Sequence, residues 1–336
     1  MSKPKQEYLS PIQITAVMSS AIIGVVVLTL PRMATQAARH GAILSVFLAG
    51  IISLILAVIA VHLGKRLPNQ TIMEYSVSIL GVLLGKLLGL FIAGYFIIIS
   101  GMVLRSFADT LKVFMLPRTP IEFIMISMLI VAIYMIHNGI GAVAKICESF
   151  LPVTVIAIIL VIVLNFPEFQ ARHLFPMITN GLTTTFLEAI KGVPKLMSAF
   201  LGFEAVLFII PFMQKPEKAS PYAAAGVALP TIIYTGLVAV CIGVFGIELT
   251  KKMLYPTITL ARSITFPGAF AERFDILFGI LWVLAAFTSI SVSYYLASLS
   301  ITRLLKLKNF RPFIFILLPF VYIVAIVPQN IYQMNE

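Results

Sequence analysis

The sequence predicts an all-α polytopic membrane protein with two interrupted spans, and three observations carry this prediction. Hydrophobic residues make up 60% and charged residues only 11% of the 336 residues, whereas a soluble domain carries about a quarter charged residues. The apolar runs have the length of a membrane-spanning helix, about 20 residues. Glycine and proline interrupt two of these runs. This composition excludes a soluble globular domain and also a disordered chain, which needs low hydrophobicity and high charge.

Nine apolar runs, bounded by charged and turn residues, are predicted to be spans. Each must be a helix because backbone polar groups in lipid need partners within the segment, and no run shows the strict alternation of a barrel strand. We expect one membrane domain over 1–336, with a first repeat over about 12–165 and a second, incomplete repeat over about 184–328. The runs cover residues 12–36, 41–63, 87–108, 121–137, 148–165, 184–213, 222–247, 274–302 and 311–328.

The basic residues predict the orientation. The net charge of +11 comes from Lys and Arg in short connections, which we interpret as topology signals and as contacts with anionic lipid head groups, not with nucleic acid. Placing the N-terminus in the cytoplasm leaves more of these residues inside than outside. Two connections are predicted to be ordered: segment 67–85 on the inner surface, and a short amphipathic helix near 257–264 that caps the outer side.

The two interrupted spans are the most informative feature. Gly24 is followed by Pro31 in the first run, and Gly202 is followed by Pro211 in the sixth. Glycine loosens a helix and proline removes a backbone donor. Such breaks near the start of two five-helix halves are typical of inverted-repeat transporters, whose substrates bind at the unwound backbone. The alternative is that these residues only bend ordinary membrane helices.

Side chains near the breaks suggest a polar site. Glu204 is an acid inside an apolar run, where an unpartnered carboxyl costs a few kcal/mol. It either carries a proton or contacts a ligand ammonium group, or it ties the broken helix to a neighbour. Tyr95, in the middle of the third run, either faces the same cavity or packs as an aromatic. Ser289 and Ser293 share a face of the eighth run and either complete a cation site or allow close helix packing.

Enzyme chemistry has little support in the sequence. The four histidines have no second His or Cys at metal-ligand spacing, and the chain has no nucleophile elbow and no phosphate-binding glycine loop. We therefore expect no catalytic residues, no metal and no cofactor, apart from a possible coupling to H⁺ or Na⁺.

At the two breaks the sequence resembles the B subunits of endospore germinant receptors (the GerAB type). The stretch from Ala199 to Glu204, running on to Pro211, is similar to their sixth helix, and the stretch from Ala21 to Arg32 fits their first. The resemblance covers nearly the whole chain. It implies a LeuT-like fold of the amino acid–polyamine–organocation transporter superfamily, with inverted five-helix repeats and broken first and sixth helices.

The resemblance also implies a function. The chain would be a nutrient germinant receptor subunit of the spore inner membrane that binds an amino acid and works with an A and a C subunit. A free-standing H⁺- or Na⁺-coupled amino acid permease is the alternative. The family has ten spans, so either the tenth is missing after residue 328 or two spans are merged in the count of nine. The positions that match the unwound segments are Ile23, Gly24, Val25, Phe200, Leu201, Gly202, Phe203 and Glu204.

Overall fold

The computed structural model describes residues 8–67, 69–174, 182–264 and 274–327 of the chain. Within those ranges the secondary structure is helical, apart from one isolated parallel bridge between Leu9 and Met213. Short 3-10 turns connect several helices. The helices are α1 (Pro11–Ile22), α2 (Val26–Ala38), α3 (Ala42–Arg66), α4 (Ile72–Phe114), α5 (Ile121–His137), α6 (Ile140–Leu164), α7 (Leu182–Leu196), α8 (Val206–Ile209), α9 (Ala219–Lys252), α10 (Pro256–Arg262), α11 (Phe274–Leu304) and α12 (Arg311–Ile326).

The first span is interrupted at its glycine. α1 begins at a capping box in which Ser10 and Gln13 exchange hydrogen bonds of 3.0 and 3.3 Å between backbone N–H and side chain. It ends where the N–H of Ile23 donates to the Ser19 carbonyl at 2.7 Å. α2 begins at Val26, so residues 23–25 form the break between two helices of 12 and 13 residues.

The sixth span is interrupted in the same manner. After α7 and a 3-10 turn over Met197–Phe200, the chain is non-helical at Leu201 and Gly202 before a second 3-10 turn leads into α8. The two halves are bent by 51°. Gly202 has φ 119°, a left-handed conformation that a residue with a Cβ adopts only under strain. The glycine therefore determines where this helix breaks.

The prolines of the two broken spans lie after the breaks, Pro31 inside a helix and Pro211 in the 3-10 turn Ile210–Phe212 that follows α8. Pro31 lies inside α2, where its missing N–H leaves the Val27 carbonyl without its helical donor. The Thr257 hydroxyl of α10 donates to that carbonyl at 2.7 Å. Pro230 in α9 frees the Gly226 carbonyl in the same way, and a serine hydroxyl of α1 donates to it at 3.0 Å. The carbonyls that Pro31 and Pro230 leave free therefore accept hydrogen bonds from neighbouring helices and join them.

The structure is an all-α assembly of apolar helices, as predicted, but several helix boundaries differ from the predicted spans. Among the described residues, five helical segments are long and apolar enough to cross a bilayer, and the bent pair of the sixth span makes up to six. The apolar helices α1, α5 and α12 are shorter. The all-α polytopic membrane class is therefore confirmed, while the count of nine spans, the two repeats and the tenth span stay predictions.

Two stretches that the sequence assigns to connections are helical: most of segment 67–85 and the residues just before 148. α4 has 43 residues and begins at Ile72, so it includes most of segment 67–85. It is kinked at Gly81, where the backbone is non-helical with φ 81°. α6 likewise begins at Ile140, eight residues before the predicted start. α10 is the short helix predicted on the outer side. Residues 265–273 and those after 327 lie outside the described ranges.

α11 lies at the centre of the molecule. It packs against α4, α6 and α1, while α9 packs against α3, α1 and α2. Most residues of α11 between Ala285 and Ser300 are buried, and many are alanine or serine, which lets neighbouring backbones approach closely. This packing brings the two breaks together beside the middle of α11.

Candidate functional site

The two breaks meet at a cavity of about 340 Å³, which α4 and α11 complete. Ligand pockets in proteins begin at about this size, roughly 300 Å³. The lining is mostly apolar, with a few polar groups. These polar side chains are Thr29, Ser106, Lys195, Ser198, Glu204, Tyr255, Ser289 and Ser293.

Both break glycines allow backbone contacts that a side chain would prevent. A Cβ at Gly202 would lie 2.9 Å from the carbonyl carbon of Ala21, in the last turn of α1 before the first break. A Cβ at Gly24 would lie 2.5 Å from the Ser289 hydroxyl oxygen on α11. Contacts under 3 Å force a shift of the neighbouring atoms. The glycines therefore set the approach of the first break to the sixth span and to α11.

The Glu204 carboxylate has two donors in the structure. The Tyr95 hydroxyl of α4 donates to Oε1 at 2.5 Å, and the N–H of Gly202 donates to Oε2 at 2.8 Å. The carboxylate thus holds the backbone of the second break and ties it to α4.

The first break presents backbone N–H groups, which carry partial positive charge, and backbone carbonyls, which carry partial negative charge. α2 begins without a capping side chain, so its first N–H groups and its helix dipole favour an anion. Val25 and Val26, which supply these N–H groups, line the cavity. At the other side of the break, the carbonyls of Ala21 and Ile22 accept hydrogen bonds from the hydroxyls of Ser289 and Tyr234, at 3.2 and 2.8 Å.

The two serines of α11 lie next to the first break. Ser289 Oγ donates to Ala21, and Ser293 Oγ donates to the carbonyls of Ser289 and Ile290, both at 3.0 Å. Each hydroxyl oxygen keeps lone pairs that can accept a cation, so the cation site stays a prediction. No group of three His, Cys, Asp or Glu residues in the described part of the chain is placed to hold a metal.

The structure divides the predicted site residues into two groups. Seven of them line the cavity: Gly24, Val25, Leu201, Gly202, Glu204, Ser289 and Ser293. Ile23, Phe200, Phe203 and Tyr95 are not part of the lining. Phe200 is fully buried and its ring contacts Tyr234 edge-on at 5.5 Å. Tyr95 acts on the site through its hydrogen bond to Glu204.

The sequence does not single out one wall of the cavity. Phe96, Ile99, Met102 and Val103 of α4 line it, at a spacing that places them on one face of the helix. Residues 87–104 of α4 are mostly apolar on every face of the helix, so the composition of the sequence does not distinguish the face that meets the cavity from the others. Tyr255, which precedes α10, also lines the cavity and packs edge-on against Phe114 at 5.2 Å.

The fold is similar to that of a known transporter. A Na⁺-coupled sialic acid symporter, in a substrate-bound outward-open state, matches 96% of this chain and 77% of its own chain, with a TM-score of 0.66 and 14% sequence identity. This similarity concerns the fold alone. It confirms the LeuT-like fold that the resemblance to the germinant receptor B subunits implies.

The sequence is similar to curated spore germination proteins of Bacillus subtilis (strain 168). Spore germination protein B2 is 29% identical over 91% of this chain and 82% of the relative. Spore germination protein YndE is 28% identical over 95% and 86%, and spore germination protein A2 is 28% identical over 86% and 79%. The family model described as spore germination protein (spore permease) matches residues 8–334. The chain therefore belongs to the spore germination protein family of multi-pass membrane proteins.

Proposed function

We propose that this chain is the nutrient-binding B subunit of a germinant receptor in endospores and that its ligand is an amino acid. The observation that carries the proposal is the cavity where the two helix breaks meet, because unwound backbone there offers donors and acceptors that the rest of the apolar interior lacks. The family membership supports a role in germination.

The cavity can recognise both ends of an amino acid. The uncapped N-terminus of α2, at Val25 and Val26, suits a carboxylate. The carbonyl of Ala21, near the end of α1, accepts one hydroxyl and keeps a lone pair, which suits an ammonium group because the C-terminal end of a helix carries partial negative charge. The apolar wall from α4 and α11 then faces the ligand side chain.

Binding would act by shifting a conformational equilibrium. A ligand that contacts both breaks stabilises the state in which they approach each other, and it can shift the equilibrium only by its difference in affinity between states. A and C receptor subunits in the spore inner membrane would respond to that shift. The N-terminus would lie in the cytoplasm, with basic connections against anionic lipid.

Ligand binding to the purified full-length chain tests the proposal. We expect at least one amino acid of a full panel to bind wild-type protein and to bind Gly202→Leu at least tenfold more weakly. The matched control is Gly94→Ala in α4, since a Cβ at Gly94 has no neighbour within 4 Å. A panel in which no amino acid binds the wild-type chain would contradict the proposal.

A free-standing permease is the second candidate, and the symporter-like fold together with the serines beside the first break favours it. Vesicles that contain only this chain distinguish the two functions. Uptake of a labelled amino acid against its gradient, driven by H⁺ or Na⁺, indicates a permease. Binding without uptake indicates a receptor subunit.

A further inference from the structure

The cavity opens on one side, and a lysine stands at its mouth. Most lining residues are buried or half-buried, whereas Lys195, Ser198 and Leu201 are exposed. All three belong to the segment that leads from α7 into the second break. A ligand that enters the cavity by this opening passes the Lys195 side chain.

Lys195 is the accessible charge of the site. Lys195 and Glu204 are the charged residues among the described residues that line the cavity. Both oxygens of Glu204 already accept hydrogen bonds. In the described part of the chain, no hydrogen bond or ion pair engages the Lys195 ammonium group. Its three donors are therefore available to a ligand.

The backbone that carries Lys195 is held in place. The Ser198 hydroxyl donates to the Lys195 carbonyl at 2.6 Å, which closes the last turn before the break. The other charged residues of α7 serve elsewhere. Glu188 accepts the N–H of His40 at 3.2 Å, and Lys191 is exposed without lining the cavity.

We propose that Lys195 binds a carboxylate of the nutrient at the mouth of the cavity and so selects ligands with a carboxylate over amides and amines. This inference rests on the proposed function and adds a specificity-determining residue to it. A bond between ammonium and carboxylate is charge-assisted. The carboxylate is either the α-carboxylate, which Lys195 would share with the N–H groups at the start of α2, or the side-chain carboxylate of an acidic amino acid.

Equilibrium binding of four probes to purified full-length protein tests this role. The probes are L-alanine, L-valine, L-aspartate and L-alaninamide, and the variants are Lys195→Met, Lys195→Arg and, as matched control, Lys191→Met. We expect Lys195→Met to weaken binding of the amino acids about tenfold, as loss of a charged hydrogen bond does. Binding of L-alaninamide stays unchanged, and Lys195→Arg retains most of the affinity.

The outcomes separate the two carboxylates and the two proposals. An equal loss for alanine and aspartate assigns Lys195 to the α-carboxylate, and a loss confined to aspartate assigns it to the side chain. Wild-type binding that Lys195→Met leaves unchanged, or that falls equally for L-alaninamide, overturns the role of Lys195 alone. Wild-type protein that binds no amino acid of the full panel overturns this role together with the proposed function, whereas binding of other amino acids but of none of the four probes overturns the role of Lys195 alone.

Discussion

The hydrogen bonds of Glu204 give the most quantitative prediction. The carboxylate accepts from the Tyr95 hydroxyl at 2.5 Å and from the Gly202 N–H at 2.8 Å. Tyr95→Phe removes the first bond alone, and Glu204→Ala removes both. Tyr95→Phe in the background of Glu204→Ala removes nothing further, because the hydroxyl has already lost its acceptor.

A hydrogen bond to this carboxyl group contributes about 1–2 kcal/mol, and about 1.4 kcal/mol corresponds to a tenfold change in an equilibrium constant. If the bonds keep the second break competent to bind, their loss lowers the competent fraction and weakens the apparent affinity by that factor. We therefore expect about five- to thirtyfold weaker binding for Tyr95→Phe and about thirty- to a thousandfold for Glu204→Ala. The double variant should match Glu204→Ala.

The assay is a double-mutant cycle on the dissociation constant of the best amino acid ligand, measured with purified protein at equal folded amounts. Spores that carry the same variants give the matching germination dose-response. Glu188→Ala is the control, because its carboxylate also accepts a backbone N–H, from His40, but lies away from the cavity.

Two results would refute the reasoning. If the effects of Tyr95→Phe and Glu204→Ala multiply in the double variant, the two residues act independently and the hydrogen bond does not couple them. If Glu204→Ala binds the ligand as the wild type does, the carboxylate is not needed to order the second break.

Three further changes test the contacts around the breaks. Gly202→Ala should lose ligand binding at least tenfold, since it combines a φ of 119° with a Cβ 2.9 Å from a backbone carbon; affinity within twofold of wild type would contradict this. Gly24→Ala should also weaken binding, and Ser289→Gly in the same chain should restore part of it, because it removes both the hydroxyl oxygen at 2.5 Å and the Cβ at 2.8 Å from the new methyl group; no rescue would exclude that clash. Thr257→Val should lower the thermal unfolding temperature, because the Val27 carbonyl of α2 loses its donor and an unsatisfied buried carbonyl costs about 1–3 kcal/mol of folding free energy. An unchanged unfolding temperature would show that water or another group replaces the hydroxyl.

The sequence predicts where the helices break, but it wrongly assigns the prolines to the breaks. Gly24 and Gly202 mark the breaks because each lies where a side chain would collide with the opposing element. Pro31 lies inside α2 without breaking it. The residue that compensates for its missing N–H is far away in the sequence. Thr257 donates to the carbonyl that Pro31 leaves free, and no local pattern around Pro31 reveals that donor.

The polar part of the site is more predictable than its apolar part. An acid such as Glu204 is conspicuous in an apolar run, and its need for a partner follows from the cost of burying it. That Tyr95 is this partner depends on how α4 packs against the second break, over 109 positions of sequence separation. Phe96, Ile99 and Met102 give no such signal, because a residue that faces the cavity and one that faces lipid have the same apolar character.

The two ends of the cavity differ, and this difference bears on the direction of ligand entry. The N–H of Leu9 donates to the Phe212 carbonyl at 2.6 Å, and the N–H of Gln214 donates back to Leu9 at 3.3 Å. This pairing joins the start of the first span to the end of the sixth. Arg303 stacks over Phe212 at 5.9 Å and pairs with Glu74 at 3.1 Å, which reinforces the same end. The exposed lining residues lie on the other side of the breaks from this pairing. If the N-terminus lies in the cytoplasm, as we propose, the opening faces the side of the membrane from which a nutrient would reach a receptor.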